Sequence, residues 1–328
     1  MNIPEIPNEY AIELTAPDIS AYRMGNTGVP YVWQFDSGRS GPNVMVSAIV
    51  HGNEPCGAIA LDWLLSSGFR PLAGRVTLAF MNVAAYEAFD PENPNASRWV
   101  EEDMNRVWAS AVLDGDRTSI ELERARQVRP FLEDTDYLFD IHSMQHLAPP
   151  LMLSGAHEKG RALAARVGVP QKAVVDRGHA AGTRMRDYGR FGDPDEPAAA
   201  LLIECGQHWE ASAEQLAKMA TARFLDAVGV APNGLAEGFG DPPGQQEFYS
   251  VTDVVTISSE SFEFEQPFIG GEVLSEAGTP IGRDGDRTIV SPYPDCMLVM
   301  PSKRLWKGQT AVRLARKLDR SPVQTRHT

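Results

Sequence analysis

The feature that most limits what this chain can become is a regular alternation of two periodicities. Apolar, β-branched runs at residues 30–35, 44–50, 74–83, 137–141 and 199–204 read as strands. Between and after them, residues 57–68, 118–132, 158–167 and 213–228 carry apolar side chains at helical spacing. In the first of these, Ile59, Leu61, Leu64 and Leu65 fall on one side and Gly68 closes the segment. Strand runs without polar alternation suit a sheet covered on both faces. The alternation predicts an α/β fold: a mixed, mostly parallel sheet with helices on both faces. Functional loops in such a sheet gather beyond the carboxyl ends of its strands.

The grammar changes at residues 231–246, APNGLAEGFGDPPGQQ, where Gly and Pro are dense and apolar periodicity stops. Short apolar stretches follow, separated by turn signals such as GRDGD and PYPD. The expected organisation is a catalytic domain over residues 1–236 and a small C-terminal β domain over residues 246–318. At 328 residues and 43% hydrophobic content, the chain is long enough for two unequal domains.

Charge and cysteine usage narrow the partners. Formal net charge is −14, and Lys and Arg form no run suited to phosphates or an anionic membrane, so no nucleic acid and no membrane partner is expected. The opening MNIPEIPNEYAIELTAP has no basic start leading into an apolar run, and no stretch of about 18 apolar residues occurs. Cys56, Cys205 and Cys296 are widely spaced and form no CxxC pair. A reducing cytoplasm is the expected location. An acidic chain that takes an anionic substrate must draw it in with a local group of arginines.

Three strand ends carry chemistry. His51 and Glu54 lie in IVHGNEPCG, between the run 44–50 and the helix that follows. An i, i+3 imidazole and carboxylate can converge on one cation as the chain begins to coil, and Gly52 between them is expected to permit an unusual backbone angle. Alone, HxxE is weak evidence, because a solvated surface pair is its ordinary reading, and a third ligand is needed. His142 follows the run YLFDI, 88 residues after Glu54, and supplies a third donor at a strand end. Asp140 or a nearby carbonyl could orient it. Glu204 ends AAALLIE, and a carboxylate after five apolar residues is either paired or functional.

Taken in order, HGNE, RWVEEDMNR, DIH and IECG resemble the succinylglutamate desuccinylase and aspartoacylase family, relatives of the zinc carboxypeptidases. The resemblance spans about residues 40–210 and also accounts for a small C-terminal β domain. It implies a zinc carboxypeptidase-like core with one zinc per chain, held by His51, Glu54 and His142, and water at the open position. It implies Glu204 as general base and Arg98 as the group that polarises the developing oxyanion. Asn105 and Arg106 would grip the substrate carboxylate, a task for which a planar guanidinium is suited. The chemistry is coherent, since zinc brings the pKa of its water toward about 7 and a carboxylate can take the proton.

The implied activity is a zinc-dependent deacylase that cleaves the amide bond of an N-acyl amino acid or similar small carboxylate. Alternatives are a zinc carboxypeptidase on short peptides and a non-catalytic zinc- or ligand-binding protein. Arg106 could instead pair with Asp103 or Glu102. His146, His208 and Trp209 could line a pocket or pack in the core. The segment 177–193, with four arginines, is either a substrate-covering loop or a solvated basic loop.

Overall fold

The computed structural model describes residues 9–178, 181–242 and 244–319. Residues 1–8 of the opening, Pro243 of the Gly/Pro stretch, and His179 and Ala180 of the segment 177–193 lie outside the described residues.

The N-terminal part builds strands β1 (Val32–Asp36), β2 (Asn43–Ala48), β3 (Arg75–Phe80), β4 (Tyr137–Met144), β5 (Leu151–Leu153), β6 (Lys172–Val175) and β7 (Ala199–Gln207). Helices α1 (Pro55–Ser66), α2 (Val83–Glu87), α3 (Ser110–Leu113), α4 (Ile120–Glu133), α5 (Glu158–Val167) and α6 (Ala211–Ala227) accompany them. The C-terminal part is all strand: β8 (Glu247–Thr256), β9 (Phe262–Phe264), β10 (Val273–Leu274), β11 (Pro280–Asp284), β12 (Arg287–Val290), β13 (Cys296–Val299) and β14 (Thr310–Lys317).

One sheet of eleven strands runs in the order β1-β3-β2-β4-β7-β5-β6-β8-β14-β13-β10. Its centre is parallel, with β2 between β3 and β4, and β4 beside β7. β1 runs antiparallel to β3. Helices α1, α5 and α6 cover one face, where Leu61, Leu64, Leu163, Val167, Phe224 and Leu225 meet Val46, Ile141 and Ile203. Helix α4 covers part of the other face, with Leu122, Ala125 and Val128 against Met45, Leu138 and Ala200. Strands alternate their side chains, so Asp140, His142 and Glu204 stand on the α4 face, while Ile141 and Ile203 point into the α6 core.

The expected β-rich C-terminal part is present, and its strands divide between two sheets. β9, β11 and β12 form a separate three-stranded sheet, whereas β8, β14, β13 and β10 continue the large one. The join is parallel pairing of β8 on β6, from Lys172↔Glu247 to Val175↔Ser250. Among the described residues no helix is long and apolar enough to cross a membrane.

Candidate metal centre

The chain leaves β2, passes through Ile49 in the left-handed region (φ 53°), and reaches His51 and Glu54 just before Pro55 opens α1. Gly52 is needed here for space, not for a special angle. A Cβ at this position would come closer than 3.0 Å to backbone atoms of Ala85, Tyr86 and Ser97, and its φ is not in the positive region. The Gly52 amide donates to the Arg98 carbonyl at 3.1 Å, which ties the HGNE loop to the segment carrying Arg98.

His51, Glu54 and His142 converge, each offering one donor atom, and the three atoms lie within 4.8 Å of one another. All three side chains are almost fully buried. Both histidines turn Nδ1 toward Glu54: His51 Nδ1 is 2.7 Å from Oε1 and His142 Nδ1 is 2.9 Å from Oε2. Their Nε2 atoms face other carboxylates, Asp103 Oδ1 at 3.0 Å for His51 and Asp140 Oδ2 at 2.8 Å for His142. Asp140 is fixed in turn by the Ser47 hydroxyl, which donates to Oδ1 at 2.7 Å.

This donor set fits a divalent cation. Two imidazoles and a carboxylate suit zinc, and carboxylates behind the histidines fix their orientation. Ligand arms of about 2.0–2.2 Å put tetrahedral neighbours about 3.4 Å apart, so the 2.7 and 2.9 Å contacts need open only by roughly half an ångström. Electrostatics agree. Burial works to raise the Glu54 carboxyl, but the charges of His51 and His142, with their hydrogen bonds, hold it well below the usual range. Burial works to lower the His142 pKa, and Asp140 and Glu54 overcome it and hold it well above. The space between the two Nδ1 atoms and the Glu54 carboxylate is where a cation would sit.

Glu204 pairs with His142 in the β4–β7 register and so stands beside this cluster. It makes no ion pair among the described residues, and Oε2 is buried without a hydrogen-bond partner. Burial pushes its carboxyl up to about 8, with His142 and Arg98 pulling down and Glu54 pushing up. Arg98 reaches over the cluster, with Nη2 3.0 Å from His51 Nε2 and 3.4 Å from Asp103 Oδ2, and Nη1 3.6 Å from Glu54 Oε1. Asn105 is buried in the same 3-10 turn as Arg106, and its Oδ1 accepts from the Met185 amide at 3.0 Å. Arg106 donates to the Asn105 carbonyl at 2.7 Å and stands 3.9 Å from Asp103. Of the two pairings expected for Arg106, only Asp103 is near, because Glu102 is taken by Arg117.

All seven residues singled out in the sequence therefore meet around one end of β2, β4 and β7. A profile of the succinylglutamate desuccinylase/aspartoacylase catalytic domain matches residues 40–226, more than half of the chain. The chain belongs to the succinylglutamate desuccinylase/aspartoacylase family. Solved structures of similar fold include a succinylglutamate desuccinylase from Vibrio cholerae, at 17% identity and TM-score 0.66, covering 88% of this chain and 86% of that one. A succinylglutamate desuccinylase/aspartoacylase from Rhodobacter sphaeroides is 18% identical, with TM-score 0.59 and coverage of 86% and 87%. The ectoine utilization protein from Ruegeria pomeroyi is 16% identical, with TM-score 0.58 and coverage of 84% and 85%. Among curated protein sequences, none matches.

Within this family fold, several supporting residues were not legible beforehand. Glu121, fully buried in the first turn of α4, accepts from the backbone amides of Val100, Glu101 and Glu102 and from the Asn82 side chain. That carboxylate sets the path of the loop between Arg98 and Arg106. Of the four arginines of 177–193, Arg184 and Arg186 are buried, while Arg177 is exposed and Arg190 is partly so. Arg184 binds Asp176 through two nitrogens at 2.6 and 3.0 Å, and Arg186 donates to the carbonyls of Ser154 and Ala200. Gly182 packs so closely on Arg106 that a Cβ would approach the Arg106 carbonyl closer than 3.0 Å. His208 and Trp209 are fully buried and pack in the interior, the His208 ring accepting or donating at Ser143 Oγ, 2.8 Å away.

Proposed function

We propose that this chain is a zinc-dependent deacylase that hydrolyses the amide bond of an N-acyl amino acid or similar small carboxylate. The observation that carries the reading is the buried His51–Glu54–His142 cluster with an unpartnered Glu204 carboxylate beside it. Family membership supports the same chemistry.

His51, Glu54 and His142 would hold one zinc, with Asp103 and Asp140 keeping each imidazole turned toward it. The ion, when bound, supplies a Lewis acid that polarises the carbonyl and acidifies water. Glu204 accepts the water proton at its free Oε2 and returns it to the departing amine. Burial pushes this carboxyl up to about 8, and a cation held beside it would draw it back down toward the range in which it can both accept and return a proton. Arg98 sits where it can donate to the carbonyl oxygen as negative charge develops. Arg106 and the Asn105 amide nitrogen hold the substrate carboxylate, and the contact of Gly182 keeps Arg106 in place.

The C-terminal strands, residues 246–318, serve as cover over a catalytic part formed by residues 1–236. Support comes from Arg304, which reaches Gln145 Oε1 at 3.2 Å, three residues past His142. Lys172, in the catalytic part, donates to the Gly271 carbonyl at 2.6 Å. A cover of this kind favours small acyl-amino acids over long peptides.

The test is metal analysis followed by an assay of zinc-loaded protein against N-acyl amino acids, their carboxamide forms and dipeptides. The expected result is one zinc per chain and amine release from the acyl-amino acids. Zinc-loaded protein that cleaves none of them overturns the reading.

A further inference from the structure

β4 and β7 lead into polar side chains that the deacylase reading leaves unused. Ser143 follows His142, and its amide donates to Glu54 Oε2 at 3.2 Å. The β4–β7 register shifts between His142 and Met144, and Gly206 takes φ 113°, so β7 ends out of regular alternation. Just beyond it, the His208 amide donates to the Met144 carbonyl at 2.9 Å. The His208 ring meets the Ser143 hydroxyl, with Nδ1 2.8 Å from Oγ. Ser143 thus links this imidazole to a carboxylate of the metal cluster.

The position of the ring proton follows from these partners. Among the described residues Ser143 Oγ has no other hydrogen-bond partner, and His208 Nε2 is buried with none. A proton on Nδ1 would leave both the Ser143 hydroxyl proton and the Nε2 lone pair unmatched. Donation from Ser143 to Nδ1 leaves only an Nε2–H unmatched, so this tautomer is the less costly one. His208 is fully buried. Burial pushes its pKa down to about 3, with Glu54 opposing and Arg98, His51 and His146 adding to the effect. The ring therefore carries one proton and no charge at neutral pH. A buried N–H without an acceptor is rare within a folded chain, and it marks a place where a ligand atom can supply one.

Contacts show which half of a substrate this donor would meet. Arg106 is packed by Gly182, in the loop that also receives Asn105 at the Met185 amide. His208 lies instead among Ser143, Trp209 and the segment that the Glu13 amide ties to the Trp209 carbonyl. Arg98 is the one arginine whose charge acts on both Arg106 and His208. With the amino-acid carboxylate on Arg106 and the scissile carbonyl at Arg98, the acyl chain runs toward His208. An uncharged ring there offers a single hydrogen bond and no counter-charge.

We propose that His208 is a specificity-determining residue whose Nε2–H donates to an uncharged oxygen on the acyl chain, beyond the scissile carbonyl. The substrate is then a hydroxyacyl or similar polar, uncharged acyl derivative of an amino acid. This rests on the deacylase reading and adds the chemistry of the acyl half.

The experiment uses zinc-loaded wild type, His208→Phe, His208→Gln and Ser143→Ala, with N-glycolyl and N-propionyl derivatives of glycine, alanine, glutamate and glutamine. The two chains match in size and differ in a terminal hydroxyl or methyl. We expect wild type to favour glycolyl by about 5- to 100-fold in kcat/KM, the effect of leaving a buried donor unpaired. His208→Phe should erase the preference, and His208→Gln, which keeps an N–H, should retain part of it. A preference that survives in His208→Phe arises at the metal and overturns the proposal, as does wild type without one. If His208→Phe does not fold, Ser143→Ala carries the test: the ring stays, its tautomer is released, and an undiminished preference overturns the proposal. Imidazole 15N NMR gives a readout independent of turnover. His208 should show an Nε2–H whose proton resonance moves on adding a glycolyl derivative but not its propionyl counterpart. An Nδ1–H tautomer, or no such movement with any derivative, overturns the proposal. If the resonance moves while nothing is cleaved, the donor stands and the deacylase reading fails.

Discussion

Replacing Asp140 with Asn tests whether the groups behind the histidines govern the metal. Both oxygens of Asp140 are in use: Oδ2 faces His142 Nε2 at 2.8 Å and Oδ1 accepts from the Ser47 hydroxyl at 2.7 Å, with no exposure to solvent. Asparagine keeps the shape but has one oxygen, so one buried donor must face an NH2 group, at a cost of about 1–3 kcal/mol. If the histidine loses, the imidazole is no longer held with Nδ1 toward Glu54. Loss of such a support weakens metal binding by about 10–100-fold, or about 1.4–2.7 kcal/mol. The assay is zinc titration of apo-protein in competition with a chromophoric chelator. Adding Ser47→Ala frees the asparagine oxygen for His142, so the double variant should regain part of the affinity. Zinc affinity in Asp140→Asn within about twofold of wild type would refute the idea that Asp140 orients a ligand.

Glu204→Gln should keep its zinc and lose about two to four orders of magnitude in kcat, the usual contribution of a positioned acid or base; near-normal turnover would assign Glu204 another role. Arg98→Ala should lower kcat by about 100- to 1,000-fold, whereas Arg106→Ala should chiefly raise KM and lose the preference for a free carboxylate over its amide. An Arg106→Ala enzyme that still discriminates acid from amide removes Arg106 as the anchor. Gly52→Ala should destabilise the fold by at least about 3 kcal/mol, since backbone atoms of three residues block the methyl group. Denaturant unfolding checks this, and an unchanged midpoint would contradict the packing described.

What was legible in the sequence follows from burial. β2, β3, β4 and β7 are covered on both faces, so their runs stay apolar and could be read, together with the polar residues that end them. β5 and β6 are only three and four residues long, too short to show a period, and neither was anticipated. The direction of β1 was also hidden, because antiparallel pairing leaves no mark in a five-residue strand. The metal cluster was readable because its donors sit at strand ends. The contacts of Asp103 with His51 and of Glu121 with the amides of residues 100–102 were not, since each joins residues distant in sequence. For the same reason the contact of the Cys56 thiol with the His142 carbonyl, 3.9 Å away, had no signature. Gly52 was picked out for the wrong reason: crowding from α2 and the Arg98 segment is tertiary, and a sequence shows only that the residue is small.

The pairing of β6 with β8 bears on how this protein can be handled and how it fails. β6 is short and apolar, and among the described residues its outer side pairs with residues 247–250. A chain cut in the Gly/Pro stretch would leave that strand with unpaired amides and carbonyls beside the buried Leu153, Val174 and Leu202. Naked apolar edges of this kind template association with other chains. Truncation there should therefore give insoluble aggregate, and during synthesis the first 246 residues would remain vulnerable until β8 emerges to seal them.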